Sequence, residues 1–219
     1  MTELRRLWIE GPAGRLECAL RVACPARAAA VLAHPHPLHG GTMQNPLIFH
    51  ADRELHRSGW TTLRFNFRGA GASEGTHDDG RGEVGDVGAA ASWLRGIALE
   101  VPLLLVGYSF GSWCAIRYAI DDPSVAAVVA VGLPVRAYGF EEIGRLSHPL
   151  AVVQGSEDEF GSPSEVEAVI ARAHPSGELT VLPGASHLLP GRVPEAAAAV
   201  RAAAERCLAR VSPIERWHA

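Results

Sequence analysis

The chain has 219 residues, of which 47% are hydrophobic and 20% charged, and its formal net charge is −4 at pH 7. This composition predicts one globular domain over residues 1–219 and excludes a disordered chain or a basic surface for nucleic acid. No apolar stretch approaches the roughly 18 residues of a membrane span, and the first residues lack the apolar core of a signal peptide, so we expect a cytoplasmic protein.

Eight strand-like segments alternate with helical patterns along most of the chain. The predicted strands are Leu4–Ile9, Arg15–Val22, Ala29–His34, Thr61–Phe67, Pro102–Tyr108, Val125–Val131, Leu150–Gln154 and Glu178–Leu182. The predicted helices are Pro46–Ser58, Gly82–Arg95, Ser112–Ile120, Ser164–Ala173 and Pro194–Arg210. The first two strands flank a short Gly- and Pro-containing turn and should pair as a hairpin. The alternation that follows favours a mostly parallel sheet covered by helices on both faces.

A G-x-S-x-G pattern lies at residues 107–111, between the fifth predicted strand and the helix that follows it. A reversal from strand to helix within so few residues strains the central position, and the flanking glycines leave room for it. The hydroxyl of Ser109 would then stand above the sheet at a helix N-terminus, where developing negative charge is favoured. We therefore predict that Ser109 is a nucleophile.

A second match to the same pattern lies at residues 71–75 and centres on Ser73. The strand before it ends several residues earlier, and no helical pattern follows it. We interpret Ser73 as part of a loop, which leaves Ser109 as the candidate nucleophile.

A nucleophilic serine needs a base and a group that orients this base. His187 follows the last predicted strand, and an acidic cluster follows the seventh: Glu157, Asp158 and Glu159. The order serine, acid, histidine is typical of the α/β-hydrolase arrangement, and all these positions follow the carboxyl ends of strands. His187 is thus the predicted base, with the acid to be found within the cluster.

Four motifs together resemble the α/β-hydrolases, in particular small bacterial serine hydrolases related to the dienelactone-hydrolase and acylaminoacyl-peptidase-like branches. They are His34–Pro37 with Gly40–Thr42, Phe65–Gly69 with the glycines that follow, Gly107–Gly111 and Gly184–His187. The resemblance covers essentially the whole chain and implies an α/β-hydrolase fold. Dienelactone hydrolases use a cysteine nucleophile where this sequence has serine, so the resemblance implies a serine esterase. It also implies that the acid is Asp158, which lies three residues after Gly155.

The backbone amides of two residues are the predicted oxyanion-hole donors. The first is Phe110, the residue after the nucleophile. The second should come from the loop after the third strand, where Pro35 and Pro37 have no N–H to donate. The resemblance points to His36, with Leu38 as the alternative.

The segment Leu133–Pro149 separates two strands at the place where larger α/β-hydrolases insert a cap domain. It has room for a loop and a short helix, so we expect an open, shallow site. Candidate wall residues are Tyr138, Phe140, Leu188 and Leu189, which core packing or chance exposure at the surface would explain equally well.

The predicted function is hydrolysis of small carboxylic esters through an acyl-enzyme, without a cofactor or metal and with a small-molecule ester as the partner. Thioesters or small amides are the alternative substrates, and a non-catalytic ligand-binding role is a further alternative. The oligomeric state cannot be predicted from the sequence.

Other polar residues have competing interpretations. A catalytic metal held by His34, His36 and His39 would leave the serine turn unexplained. Arg68 either binds a substrate carboxylate or, as we favour, anchors its glycine-rich loop. Glu83 and Asp86 are interpreted as favourable charges at a helix N-terminus. The cysteines show no metal or redox spacing: Cys18, Cys24, Cys114 and Cys207.

Overall fold

A computed structural model of the protein describes residues 4–173 and 177–211. Its strands are β1 (Arg5–Gly11), β2 (Gly14–Arg21), β3 (Ala28–Ala33), β4 (Trp60–Phe65), β5 (Leu103–Tyr108), β6 (Ala127–Val131), β7 (Leu150–Gly155) and β8 (Glu178–Leu182). Its α-helices are α1 (Pro46–Arg57), α2 (Arg81–Ile97), α3 (Phe110–Asp121), α4 (Pro163–Ala173) and α5 (Val193–Arg210).

The strands form one 8-stranded sheet in the order β1-β2-β4-β3-β5-β6-β7-β8. The β1–β2 hairpin and the β2–β4 pair are antiparallel, and every other neighbouring pair is parallel. Parallel neighbours need crossover connections, and here helices provide them. One buried apolar cluster contains side chains of α2, α3 and α4, and a second cluster contains those of α1 and α5. The predicted fold, a mostly parallel sheet with helices on both faces, is confirmed.

The strand and helix boundaries agree with the predicted ones to within a few residues, and β8 agrees at both ends. The fourth strand ends at Phe65, before the predicted end at Phe67, and the cause is clear. The amide of Asn66 donates to the carbonyl of Glu17, and the amide of Phe67 donates to a ring nitrogen of His34 at 3.0 Å. At Phe67, a ring nitrogen of His34 thus accepts the hydrogen bond that a backbone carbonyl of a neighbouring strand would otherwise accept.

The connection between β6 and β7 consists of loop residues and one short 3₁₀ helix, Glu141–Arg145. It forms no cap domain, as predicted. Within the described ranges, no helix is long and apolar enough to cross a membrane. The assignment of residues 1–219 to one domain includes residues outside these ranges and stays a prediction.

Candidate active site

Ser109 occupies the turn between the end of β5 and the start of α3, with φ 54° and ψ −119°. Positive φ is rare for a residue with a side chain, and it marks strain that the surroundings must hold in place. The two glycines of the motif permit close backbone contacts. A Cβ atom on Gly107 would lie 2.3 Å from the carbonyl oxygen of Gly111, and one on Gly111 would lie 2.4 Å from that of Ala33. The predicted strained turn is therefore present.

A chain of hydrogen bonds joins the three residues that the sequence singled out. The Asp158 carboxylate lies 2.9 and 3.0 Å from His187 Nδ1. Because an ionised carboxylate only accepts, Nδ1 carries the proton, and Nε2 is left to accept from the Ser109 hydroxyl at 2.8 Å. Asp158 and His187 are 4% and 6% exposed. The structure thus brings Ser109, His187 and Asp158 together from the ends of β5, β8 and β7.

The three acidic residues after β7 have different surroundings. Asp158 is the member that contacts the imidazole, and its carboxylate also accepts from the amide of Phe160 at 2.9 Å. Glu159 accepts from the backbone N–H of His187 at 3.1 Å, so it holds the loop and not the ring. Glu157 is exposed to solvent. Of the three candidates, only Asp158 is placed to orient the imidazole.

Two further residues position His187, and the sequence reasoning missed both. The hydroxyl of Tyr108, the last residue of β5, donates to the backbone carbonyl of His187 at 2.6 Å. Gly132 follows β6, and a Cβ atom there would lie 3.2 Å from the imidazole ring. A tyrosine at the end of an otherwise apolar strand was the available signal, because a buried tyrosine hydroxyl usually has a hydrogen-bond partner.

The loop after β3 carries His36, which lines the same cavity as Ser109. Among the described residues, the N–H of His36 has no hydrogen-bond acceptor, whereas the N–H of Leu38 donates to His36 Nδ1 at 3.2 Å. The alternative donor, Leu38, is therefore already engaged. Phe110 is the first residue of α3, where amides lack intrahelical partners. Partial burial, followed by the proximity of His77 and His39, lowers the pKa of the His36 imidazole.

His34, at the end of β3, is fully buried and uses both ring nitrogens. Nε2 accepts from the amide of Phe67, and Nδ1 lies 2.6 Å from the carbonyl oxygen of Pro35. Burial lowers the pKa of His34 to about 4, so the ring is neutral at pH 7. No group of three or more potential metal ligands occurs in the part of the chain that the structure describes. The geometry gives the metal hypothesis no support.

Ser73 and Arg68 both have structural contacts. The Ser73 hydroxyl donates to the carbonyl of Asn66 at 2.7 Å and accepts from the amide of Glu17 at 2.9 Å. Arg68 forms a buried ion pair with Asp86 at 2.7 Å and also donates to the carbonyl of Gly82. The predicted loop anchoring by Arg68 is confirmed.

The two acidic residues in the first turns of α2, Glu83 and Asp86, have different contacts. Glu83 accepts from the amides of Asp78 and Gly80 at the start of α2, as a charge at a helix N-terminus should. Asp86 was wrongly assigned to the same role. It is fully buried and is the partner of Arg68, because its position one turn along α2 faces the glycine-rich loop.

A cavity of about 330 Å³ opens in front of Ser109. Tyr138 and Leu188 line it, as predicted. For Phe140 and Leu189 the alternative of core packing holds, because both side chains pack into the core and are only 7% and 3% exposed. Phe140 belongs to the cluster under α2, α3 and α4, and Leu189 belongs to the cluster under α1 and α5.

Comparison with known proteins agrees with this geometry. Residues 26–208 match the family model for the alpha/beta hydrolase domain. The chain belongs to the α/β-hydrolase family. An uncharacterized protein from Rickettsia prowazekii (strain Madrid E) is 33% identical over 192 residues, which cover 83% of this chain and 81% of that protein.

Two solved serine-hydrolase structures resemble most of the chain. An alpha-beta serine hydrolase homologue from Coxiella burnetii is 34% identical, with a TM-score of 0.85 over 92% of this chain and 97% of that one. A Xanthomonas campestris protein, described as an a/b serine hydrolase without lid, is 29% identical, with a TM-score of 0.86 over 97% and 98%. The predicted family is confirmed.

Proposed function

We propose that the protein is a serine hydrolase that cleaves small carboxylic esters through a Ser109–His187–Asp158 triad. The observation that carries this proposal is the continuous hydrogen-bond chain from the Ser109 hydroxyl through His187 to Asp158, with Ser109 on a strained turn. Such an arrangement gives a serine both a base and a group that orients the base.

In the first step, Ser109 Oγ attacks the carbonyl carbon of the ester, and His187 Nε2 takes its proton. The negative charge that develops on the carbonyl oxygen is stabilised by the backbone amides of Phe110 and His36. Asp158 holds the ring in the required tautomer and stabilises the imidazolium. The imidazolium then protonates the leaving alcohol, which departs as the acyl-enzyme forms.

In the second step, water attacks the acyl-enzyme while His187 accepts its proton. A second tetrahedral intermediate collapses, His187 returns the proton to Ser109 Oγ, and the carboxylic acid leaves. No cofactor takes part in either step. The small connection between β6 and β7 leaves the cavity open, which suits small esters.

The predicted cytoplasmic location remains part of the proposal. All four cysteines are free thiols, which is the usual state in a reducing compartment. Cell fractionation with an antibody against the protein would test the location.

Labelling with a fluorophosphonate tests the proposal directly, because this probe modifies only an activated serine. We expect mass spectrometry to find the label on Ser109, and we expect it to disappear in His187→Ala. Ser73→Ala is the matched control and should label as the unmodified protein does. A folded protein that resists labelling at Ser109 would contradict the proposed function.

A further inference from the structure

The cavity beside Ser109 has one wall with unpaired hydrogen-bond donors. His36, His39 and Asn45 all line it and all come from the loop between β3 and α1. The rings of His36 and His39 lie 4.7 Å apart, centroid to centroid. These three side chains therefore form a single polar surface, which we call the donor wall.

Each side chain of the donor wall has a free donor group. His36 Nδ1 accepts from the amide of Leu38, so the neutral ring carries its proton on Nε2. Asn45 uses its carbonyl oxygen to cap α1 through the amides of Leu47 and Ile48, and its NH₂ group has no hydrogen-bond partner among the described residues. The ring nitrogens of His39 make no hydrogen bond within the described ranges. A ligand that supplies acceptors would satisfy all three.

No acidic side chain of the described residues lines this cavity. The carboxylates of Glu83 and Asp79 contact His77, at 2.8 and 3.7 Å, and do not line the cavity. An anionic group placed against the donor wall would thus meet donors and no carboxylate of the cavity lining.

The position of the base decides which part of an ester meets the donor wall. His187 must protonate the leaving oxygen, so the alcohol lies on the His187 side of Ser109. That side is apolar, because the Phe160 ring lies 4.6 Å from the imidazole and Leu188 follows it in the chain. In the proposed mechanism the carbonyl oxygen faces the amides of Phe110 and His36, so the acyl chain leaves the same carbon beside the loop that carries the donor wall.

We propose that the preferred substrates are esters whose acyl group carries a free carboxylate, which His36, His39 and Asn45 bind. The proposal rests on the proposed function, since it assigns the acyl side of the same catalytic site. Hydrogen bonds to a charged group are the stronger ones, so a carboxylate gains more from these donors than a neutral acceptor does.

Three 4-nitrophenyl esters with acyl chains of the same length test this preference. They are 4-nitrophenyl hexanoate, the mono-4-nitrophenyl ester of adipic acid (the adipic monoester), and the adipic monoester with its free carboxyl group converted to a methyl ester. We expect kcat/KM for the adipic monoester to exceed that of the hexanoate by roughly ten-fold. The methyl ester, which accepts hydrogen bonds but has no charge, should lie close to the hexanoate. A methyl ester as good as the free acid would overturn the carboxylate assignment.

Asn45→Asp is the informative variant, because aspartate caps a helix as well as asparagine does but replaces the NH₂ group with a negative charge. The preference for the adipic monoester over the hexanoate should fall by roughly ten-fold or more. Gln44→Glu is the matched control: it adds the same charge at the neighbouring position, which does not line the cavity, and should keep the preference.

An unchanged preference in Asn45→Asp, with hexanoate still hydrolysed and Ser109 still labelled, would overturn the donor wall and leave the proposed function standing. If the fluorophosphonate did not label Ser109 in the unmodified protein, the proposed function itself would instead be overturned. The two failures are therefore distinguishable.

Discussion

Two segments of this chain match the same G-x-S-x-G pattern, yet their serines have different surroundings. Ser109 lies between a strand and a helix with positive φ, and its hydroxyl contacts His187. Ser73 lies in a loop, and its hydroxyl exchanges hydrogen bonds with the backbone of Asn66 and Glu17. A serine whose hydroxyl is already satisfied by backbone groups stabilises the fold, whereas one that faces only an imidazole is available for chemistry.

The two segments are nevertheless connected. His34 joins them, because it follows β3 just before the loop of His36 and accepts from the amide of Phe67 just before the loop of Ser73. The segment around Ser73 is thus a support beneath the loop that carries the proposed oxyanion donor. Changes at Ser109 should affect turnover, and changes around Ser73 should affect stability.

Ser109→Ala should produce the largest effect. Because the triad acts as a unit, kcat for 4-nitrophenyl butyrate should fall on the order of 10⁴–10⁶-fold. The thermal midpoint should change little, since the hydroxyl contributes to no backbone contact. Turnover within ten-fold of the unmodified enzyme would remove Ser109 from the mechanism.

Arg68→Met should affect stability instead of chemistry. It leaves the carboxylate of Asp86 buried without its partner, which costs about 3 kcal/mol or more of unfolding free energy. Urea unfolding measures this loss, and the folded fraction should still label at Ser109. Arg15→Met is the control, because its ion pair with Glu74 in the same region is solvent-exposed and should matter much less.

His34 should make stability depend on pH. Its pKa is about 4 in the folded state and near 6.5 when unfolded, so between these values the unfolded chain binds the extra proton. The free energy of unfolding should therefore fall by about 3 kcal/mol as the pH drops from 7 to 4. In His34→Gln, the corresponding decrease should be smaller by this amount. Equal pH slopes for the two proteins would show that the ring is not held neutral.

Ser73→Ala should have the smallest effect. It leaves the amide of Glu17 without its acceptor and should lower the free energy of unfolding by about 1–2 kcal/mol. Turnover of the folded protein should stay within about two-fold of the unmodified enzyme, because Ser73 touches no group of the triad. A loss of turnover comparable to that of Ser109→Ala would reverse the assignment of the two serines.

The sequence predicted the sheet, the helices and the order of the site residues because these depend on local patterns. Apolar strands and a strand–serine–helix turn leave a periodic signal, and β8 was predicted to the residue. The direction in which a loop side chain points leaves no periodic signal in the sequence. Leu188 is 75% exposed and Leu189 is 3% exposed although they are neighbours of one type, and φ at Leu189 is 55°. Only tertiary contacts select such a backbone.

Long-range polar contacts were also beyond the sequence. Asp86 follows Glu83 by about one helical turn, yet only the fold shows that Arg68 packs over it. The free NH₂ group of Asn45 depends likewise on the capping geometry of α1. Residue types gave the candidates in both cases, and geometry selected between their roles.

The hydroxyl of Tyr108 helps to keep the distance between Ser109 and His187 constant. It ties the backbone at His187 to the residue that precedes Ser109, through a contact of 2.6 Å that involves no reacting atom. In the proposed mechanism the imidazole gains and loses a proton and exchanges partners at Nε2, but this tether needs no exchange. Ser109 and His187 would therefore keep their spacing from one proposed half-reaction to the next, and the second would start in the geometry that ended the first.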